Sequence, residues 1–200
     1  MTSRVPVIAI GSSADGLQAL SRLVAGLPVT LPAAVVIVQH IAPARPSLLP
    51  RLLGRISRLP VKAASDGETL VAGTIYVATA GLHLSVADGT TRVEYGPKVT
   101  YARPSIDVLL TSVARVCGKR SIGVVLGGAS SDGAIGLAEI RNAGGETIVL
   151  DPTEAKYPFL PQSALALDGH RVLQLAAIPV ELSRLANILA ANGAAVGEDS

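Results

Sequence analysis

Short runs rich in β-branched residues alternate along the chain with longer stretches whose apolar positions recur at helical spacing, and Gly, Pro, Ser or Asp separates one from the next. That alternation predicts βαβ units. Four runs are apolar almost throughout: Val5 to Ile10, Ala34 to Gln39, Ser121 to Leu126 and Glu146 to Leu150. Parallel strands covered by helices on both faces read this way. Helices are predicted over Gly16 to Gly26, Leu48 to Ser57, Ile106 to Cys117, Gly133 to Ala143 and Val180 to Ala191. The expected fold class is α/β, a doubly wound, mainly parallel sheet with helices on both faces. Between Val61 and Val99 the pattern changes to short alternating segments with Gly turns, VKAA, TIYVAT, LHLSVA and RVEYG. These predict an antiparallel hairpin region, a meander inserted in the main sheet or attached to its edge. Arg103-Pro104 stops the extended chain, and Ser105 is a natural N-cap for the next helix. With no internal repeat and no convincing linker, residues 1–191 are expected to form one domain, followed by a small, polar tail over 192–200 that frays.

Two hundred residues suffice for one full-sized core. Apolar residues make up 49% and charged residues 16%, against roughly 25% charged in an average domain, which excludes a disordered chain. Aromatic residues are 2%, with no Trp, so a stacking platform for bases is not available. A net charge of +2 is too small for a dedicated nucleic-acid binder. Cys117 is the only cysteine, which rules out an intrachain disulfide and a thiolate zinc site within one chain and fits a reducing compartment. No run approaches the roughly 18 apolar residues of a membrane helix. The chain therefore reads as soluble and cytoplasmic, without membrane insertion. Charge is unevenly placed: Gly16 through Ser65 holds no Asp or Glu but carries Arg22, Arg45, Arg51, Arg55, Arg58 and Lys62. Such a stretch is either a solvated helix face or a surface that attracts an acidic partner.

Polar residues gather where the buried strands end. Val5 to Ile10 runs into Gly11-Ser12-Ser13-Ala14-Asp15-Gly16, Ala34 to Val38 into Gln39-His40, and Ser121 to Leu126 into Gly127-Gly128-Ala129-Ser130-Ser131-Asp132-Gly133. The carboxyl ends of parallel strands share one edge of the sheet, and ligands bind there. Ser13, His40 and Asp132 are thus candidates to meet. A hydroxyl, an imidazole and a carboxylate are the parts of nucleophilic acyl transfer: the base takes the Ser proton, the acid orients the base and stabilises its protonated form. The Gly-rich loop before Asp132 offers backbone N–H groups to an oxyanion. Each residue also has a purely structural alternative, N-caps for Ser12, Ser13 and Asp132 and a satisfied buried ring for His40. His83 and His170 are assigned no chemistry, and Cys117 is read as a packing residue. The first loop, G-x-S-x-x-G, is neither a dinucleotide fingerprint nor a P-loop nor the G-x-S-x-G elbow of α/β-hydrolases.

Taken together, VIAIGSSADGLQAL, VVIVQHIAP, DGETLVAGTIYVATAGLHL, RPSIDVLLTSVA, IGVVLGGASSDGAIGLAEIRNAGGETIVLDP and YPFLPQSAL resemble the chemotaxis receptor methylesterase family, the CheB-type protein-glutamate methylesterases. The resemblance implies a doubly wound α/β catalytic domain with an antiparallel hairpin region, and a serine esterase that hydrolyses glutamate methyl esters on chemoreceptor helices and deamidates certain glutamines. It places the nucleophile on Ser13, the general base on His40, the orienting acid on Asp132 and an oxyanion N–H on Ala129, with Ala14 beside the nucleophile. It implies no metal or organic cofactor. The partner it implies is a methylated chemoreceptor or other acidic helical protein.

Departures from the family pattern cluster near these positions. Asp15 stands where a flexible Gly is usual, Ser130 replaces a Gly, and Phe159-Leu160-Pro161-Gln162 stands in place of Gly-Met-Pro-Arg. Phe159 is expected to narrow the cleft, and Gln162 removes a positive charge. A catalytically weakened interaction module in chemosensory signalling is the alternative these changes leave open. Two hundred residues leave no room for a receiver domain beside the catalytic one, so control is expected to come from a separate regulatory partner.

Overall fold

The computed structural model describes residues 5–13, 16–40 and 48–195. In chain order its elements are β1 (Val7–Ser12), α1 (Gly16–Gly26), β2 (Ala34–Gln39), α2 (Leu49–Gly54), β3 (Val61–Ala63), β4 (Ile75–Val77), β5 (His83–Ala87), β6 (Thr90–Glu94), α3 (Ile106–Cys117), β7 (Ser121–Val125), α4 (Ala134–Asn142), β8 (Glu146–Leu150), α5 (Phe159–Leu165), β9 (Arg171–Leu173) and α6 (Ile178–Ala195). Seven strands form one sheet in the order β3-β4-β2-β1-β7-β8-β9, and every pairing in it is parallel. β5 and β6 form a separate antiparallel hairpin.

Strand periodicity divides the core in two. Successive side chains of β1 point to opposite faces. Val7 and Ala9 join a buried cluster with Ile106, Leu109 and Val113 of α3, Leu137 of α4, Leu160 of α5 and Leu84 of the hairpin. Ile8 and Ile10 join a second cluster with Leu20 and Leu23 of α1, Leu53 of α2 and Leu182 of α6. Both faces of β1 and β2 are dry, which is why those runs are apolar without alternation. Among the described residues, no helix is long and apolar enough to cross a membrane.

The expected meander over Val61 to Val99 is corrected in its first half. VKA and IYV are parallel strands of the main sheet, and only the LHLSVA and RVEYG segments pair antiparallel. β4 is buried on both faces, Ile75 and Val77 in one core and Tyr76 in the other. The chain passes from β3 to β4 without a helix, so the sequence there carries no helical period to announce a parallel crossover. α6 extends to Ala195, so the first residues of the expected tail are helical. The sequence reading missed α5 and β9, both short and, in α5, carrying Pro161 within the first turn.

Candidate active site

β1 is the point where the winding of the sheet reverses, with β2 on one side of it and β7 on the other. Connections leaving the carboxyl ends of the strands diverge there and open a crevice. Ser13 follows β1, His40 follows β2, and the loop ending in Asp132 follows β7. Three distant parts of the sequence therefore reach one rim.

Ser13 Oγ lies 2.9 Å from His40 Nδ1, and His40 Nε2 lies 2.7 Å from Asp132 Oδ2. An ionised carboxylate only accepts, so Nε2 carries the ring proton and donates it to Asp132, which leaves the Nδ1 lone pair to accept the Ser13 O–H. Both spacings are those of a nucleophile, its base and the group that orients the base. The backbone fixes them. Ser13 N–H donates to Gly127 O at 3.0 Å, and His40 N–H donates to Ser12 O at 2.9 Å. The buried amide of Gln39 donates to Ser13 O at 2.7 Å and to His40 O at 3.2 Å, tying the two segments together. Ser12 belongs to β1, and its buried hydroxyl has no partner, so it caps nothing.

Asp132 is fully buried and receives four hydrogen bonds. His40 Nε2 and the Ile106 N–H, at 2.8 Å, donate to Oδ2; Ser105 Oγ, at 2.7 Å, and the Asp107 N–H, at 3.0 Å, donate to Oδ1. Burial alone would push this carboxyl up, but the hydrogen bonds from His40, Asp107, Ser105 and Ile106 outweigh it and hold Asp132 below the usual carboxylate range. Asp132 does act at a helix N-terminus, as its structural alternative supposed, but at that of α3, not of α4. Gly133 makes this possible: its φ of +114° turns the chain away, and a Cβ there would lie 2.6 Å from Ile106 Cγ2. Ser105 caps α3 as expected, accepting from Val108 N–H at 3.3 Å.

The Gly-rich loop packs directly on the Ser. A Cβ at Gly128 would sit 2.5 Å from Ser13 Cβ. Gly128 N–H donates to Tyr157 O at 2.8 Å, and Leu160 N–H donates to Gly128 O at 2.9 Å, which anchors α5 to the loop. Ala129, next in line, is exposed, and its N–H has no acceptor among the described residues. Phe159 opens α5 beside this anchor and is 55% exposed, and Gln162 faces solvent one turn on. Ala14, Asp15 and Arg45 lie outside the described residues. A crevice of about 560 Å³, lined by Gly16, Arg22, Gly127, Lys156 and Tyr157 among others, adjoins Gly127 without including any of the three residues.

Sequence reasoning missed Gln39, Ser105 and Asp107 as site residues. Ser105 was visible as a cap, but nothing in the sequence showed that its hydroxyl also serves a carboxylate 27 positions on. His83 supports the same corner: it is buried, with Nε2–H donating to Pro97 O at 2.8 Å and Nδ1 accepting from Ser105 N–H at 3.3 Å. Cys117 is buried in the α3 core, which pushes its thiol up to about 12.

Comparisons with known proteins agree with this architecture. The family described as CheB methylesterase matches residues 8–182. A protein-glutamate methylesterase/protein-glutamine glutaminase of Anaeromyxobacter dehalogenans is 39% identical over 184 residues, 92% of this chain and 54% of that protein. A putative protein-glutamate methylesterase/protein-glutamine glutaminase of Leptospira interrogans is 38% identical over 159 residues, 79% of this chain and 82% of that one. The crystal structure of the Thermotoga maritima CheB methylesterase catalytic domain superposes with a TM-score of 0.84 at 30% identity, covering 90% of this chain and 98% of the other. The chain spans about half the length of several curated relatives, including that of Anaeromyxobacter. With the family match extending from β1 into α6 and the same α/β domain found in the Thermotoga structure, this chain belongs to the CheB methylesterase family.

Proposed function

We propose that this chain is a serine esterase that hydrolyses glutamate methyl esters, and deamidates glutamines, on an acidic helical protein of the chemoreceptor kind. The observation that carries the reading is the continuous relay of Ser13, His40 and Asp132 at 2.9 and 2.7 Å, ending on a carboxylate held ionised. His40 Nδ1 takes the Ser13 proton as Oγ bonds to the ester carbon. The imidazolium gains the negative charge of Asp132 as its partner, and the Ala129 N–H supports the oxyanion, with Ala14 as the expected second donor. Collapse of the tetrahedral intermediate breaks the bond to the methoxy oxygen, which leaves as methanol with the proton from His40 Nδ1. Water then attacks the acyl-serine with His40 again as base, releasing glutamate and restoring the Ser13 hydroxyl. With a glutamine the leaving group is ammonia, and the steps are otherwise the same.

The exposed Arg22, Arg51, Arg55 and Arg58 support an acidic partner. One cysteine and the lack of a membrane-crossing helix among the described residues support action in the cytoplasm on the receptor's soluble region. The geometry favours catalysis over the weakened-module alternative, because each hydrogen bond the chemistry requires is in place. The test is methanol release from methylated receptor by the wild type and Ser13→Ala. Loss of at least about a thousandfold in the variant is expected, and equal rates would remove Ser13 from the mechanism.

A further inference from the structure

Asp107 is a second buried carboxylate, placed directly behind Asp132. It occupies the first turn of α3 and is 8% exposed. Its backbone N–H donates to Asp132 Oδ1, and its own carboxylate accepts from Gly136 N–H at 2.8 Å and from Gly133 N–H at the start of α4. The two carboxyls are near enough for a proton on Asp107 to be shared with Asp132. We propose that Asp107 is a positioning residue for the general base, one whose charge state sets how strongly Asp132 accepts the His40 Nε2–H and hence how readily His40 takes the Ser13 proton. This rests on the esterase reading and extends it to how the reaction responds to pH.

Few charges bear on Asp107. Asp132 faces it from the β7–α4 connection. On α4, Glu139 is exposed and Arg141 donates to the carbonyls of Leu167 and Asp168. On α3, Arg115 is exposed near the far end. From the hairpin, His83 is engaged by Pro97 and Ser105. Among the described residues, no cation pairs with Asp107. Its carboxyl is pushed up to about 6, mainly by burial and also by the negative charge of Asp132, against the N–H groups of Gly136 and Gly133. A helix cap needs only a neutral acceptor such as Asn or Ser, so the charge exceeds what capping α4 requires. Ionised, Asp107 adds a second negative charge behind the imidazole and favours its protonated form. Protonated, it donates O–H to Asp132 and competes with His40 for the same carboxylate.

The experiment compares the wild type with Asp107→Asn, which keeps the acceptor for Gly136 and removes the charge. One readout is kcat/KM against pH for methanol release; the other is the low-field proton resonance of the His40 Nε2–H···Asp132 hydrogen bond. For D107N, kcat is expected to fall about threefold to tenfold at pH about 7.5 with KM unchanged, the acid limb to move to lower pH, and the resonance to move upfield. Superimposable pH profiles and resonances would overturn the proposal, as would a uniform loss of activity with neither one shifted, which is the mark of a purely structural cap. Should D107N fail to fold, the wild type decides alone: its resonance moves upfield as pH falls through about 6, or the coupling is absent. Were the wild type and Ser13→Ala to release methanol equally, the esterase reading would fail, while the resonance would still decide what Asp107 does to Asp132.

Discussion

Ser105→Ala removes one oxygen that serves two elements. Ser105 is fully buried, accepts from Val108 N–H at 3.3 Å to cap α3, and donates to Asp132 Oδ1 at 2.7 Å. Loss of an N-cap side chain costs about 1 kcal/mol, and loss of a hydrogen bond to a charged group about 1.5–3 kcal/mol. Because one atom makes both, the expected cost lies at about 2–4 kcal/mol, a large part of a typical stability of roughly 5–15 kcal/mol. Asp132 retains three donors, so it stays ionised near neutrality, but its hold on the imidazole loosens. A tenfold fall in kcat corresponds to about 1.4 kcal/mol of transition-state stabilisation, and that is the expected size, with KM unchanged. The sign of the pH effect follows from the depressed carboxyl of Asp132. It contributes stability above its unfolded value that is lost as pH falls through the folded one, so S105A, by depressing it less, narrows the stability gap to the wild type as acid is added. Urea unfolding followed by far-UV circular dichroism suits a chain without Trp, with methanol release run in parallel. Ser105→Thr should restore most of both. A loss under about 0.5 kcal/mol together with wild-type kcat would refute the claim that this hydroxyl joins the cap to the relay.

Asp107→Asn should stabilise the fold at neutral pH while it slows the reaction. A carboxyl raised from 3.8 to about 6 opposes folding once ionised, by up to about 3 kcal/mol. The gain should therefore be near zero at about pH 4 and full above about pH 7; an equal effect at both, measured by urea unfolding, would contradict the assignment. Gly128→Ala drives a methyl to 2.5 Å from Ser13 Cβ, so the Ser must shift, and a loss of about a hundredfold in kcat is expected for a displacement of about 1 Å. Wild-type turnover in the variant would mean that the loop gives way freely. Cys117, with its thiol at about 12 and buried, should resist a thiol reagent at about pH 8 in the folded state and react on adding denaturant; rapid labelling of native protein would count against the packing of the α3 core.

The parallel strands were legible because they are buried on both faces, and a continuous apolar run followed by polar punctuation has few other meanings. The rim followed from them: Ser13, His40 and Asp132 each stand at or just beyond a strand end, so one topological rule brings them together. Two kinds of feature did not show. β3, β4 and β9 have three residues each, too few for any period to be read, and their direction depends on partners far away in sequence. The supporting groups also escaped notice, because a Gln at a strand end or an Asp in a first helical turn has an ordinary local explanation. Gln39 and Asp107 acquire their roles only through carbonyls and N–H groups brought near by the fold.

The placement of Asp132 and Asp107 shows how the same contacts build the fold and tune the site. Each carboxylate meets the N-terminus of the other's helix: Asp132, just before α4, accepts from the first turn of α3, while Asp107, in α3, accepts from the first turn of α4. Two helix N-termini packed together bring together unsatisfied N–H groups and partial positive charge, and two carboxylates answer both. Symmetry ends there. Asp132 also receives Ser105 Oγ–H and the His40 ring N–H, so it is the one that keeps its charge, and Asp107, with backbone donors alone, is pushed toward neutrality. The group in the relay with Ser13 is thus the better solvated of the pair, and the energetic cost of having two is carried by the one behind it. It follows that a substitution weakening Asp132's donors should relieve Asp107. In S105A the two carboxyls should move toward each other, Asp132 upward and Asp107 downward, and carboxyl-carbon NMR titration of the variant against the wild type would detect it. If both moved upward, the pair would be answering to burial and not to each other.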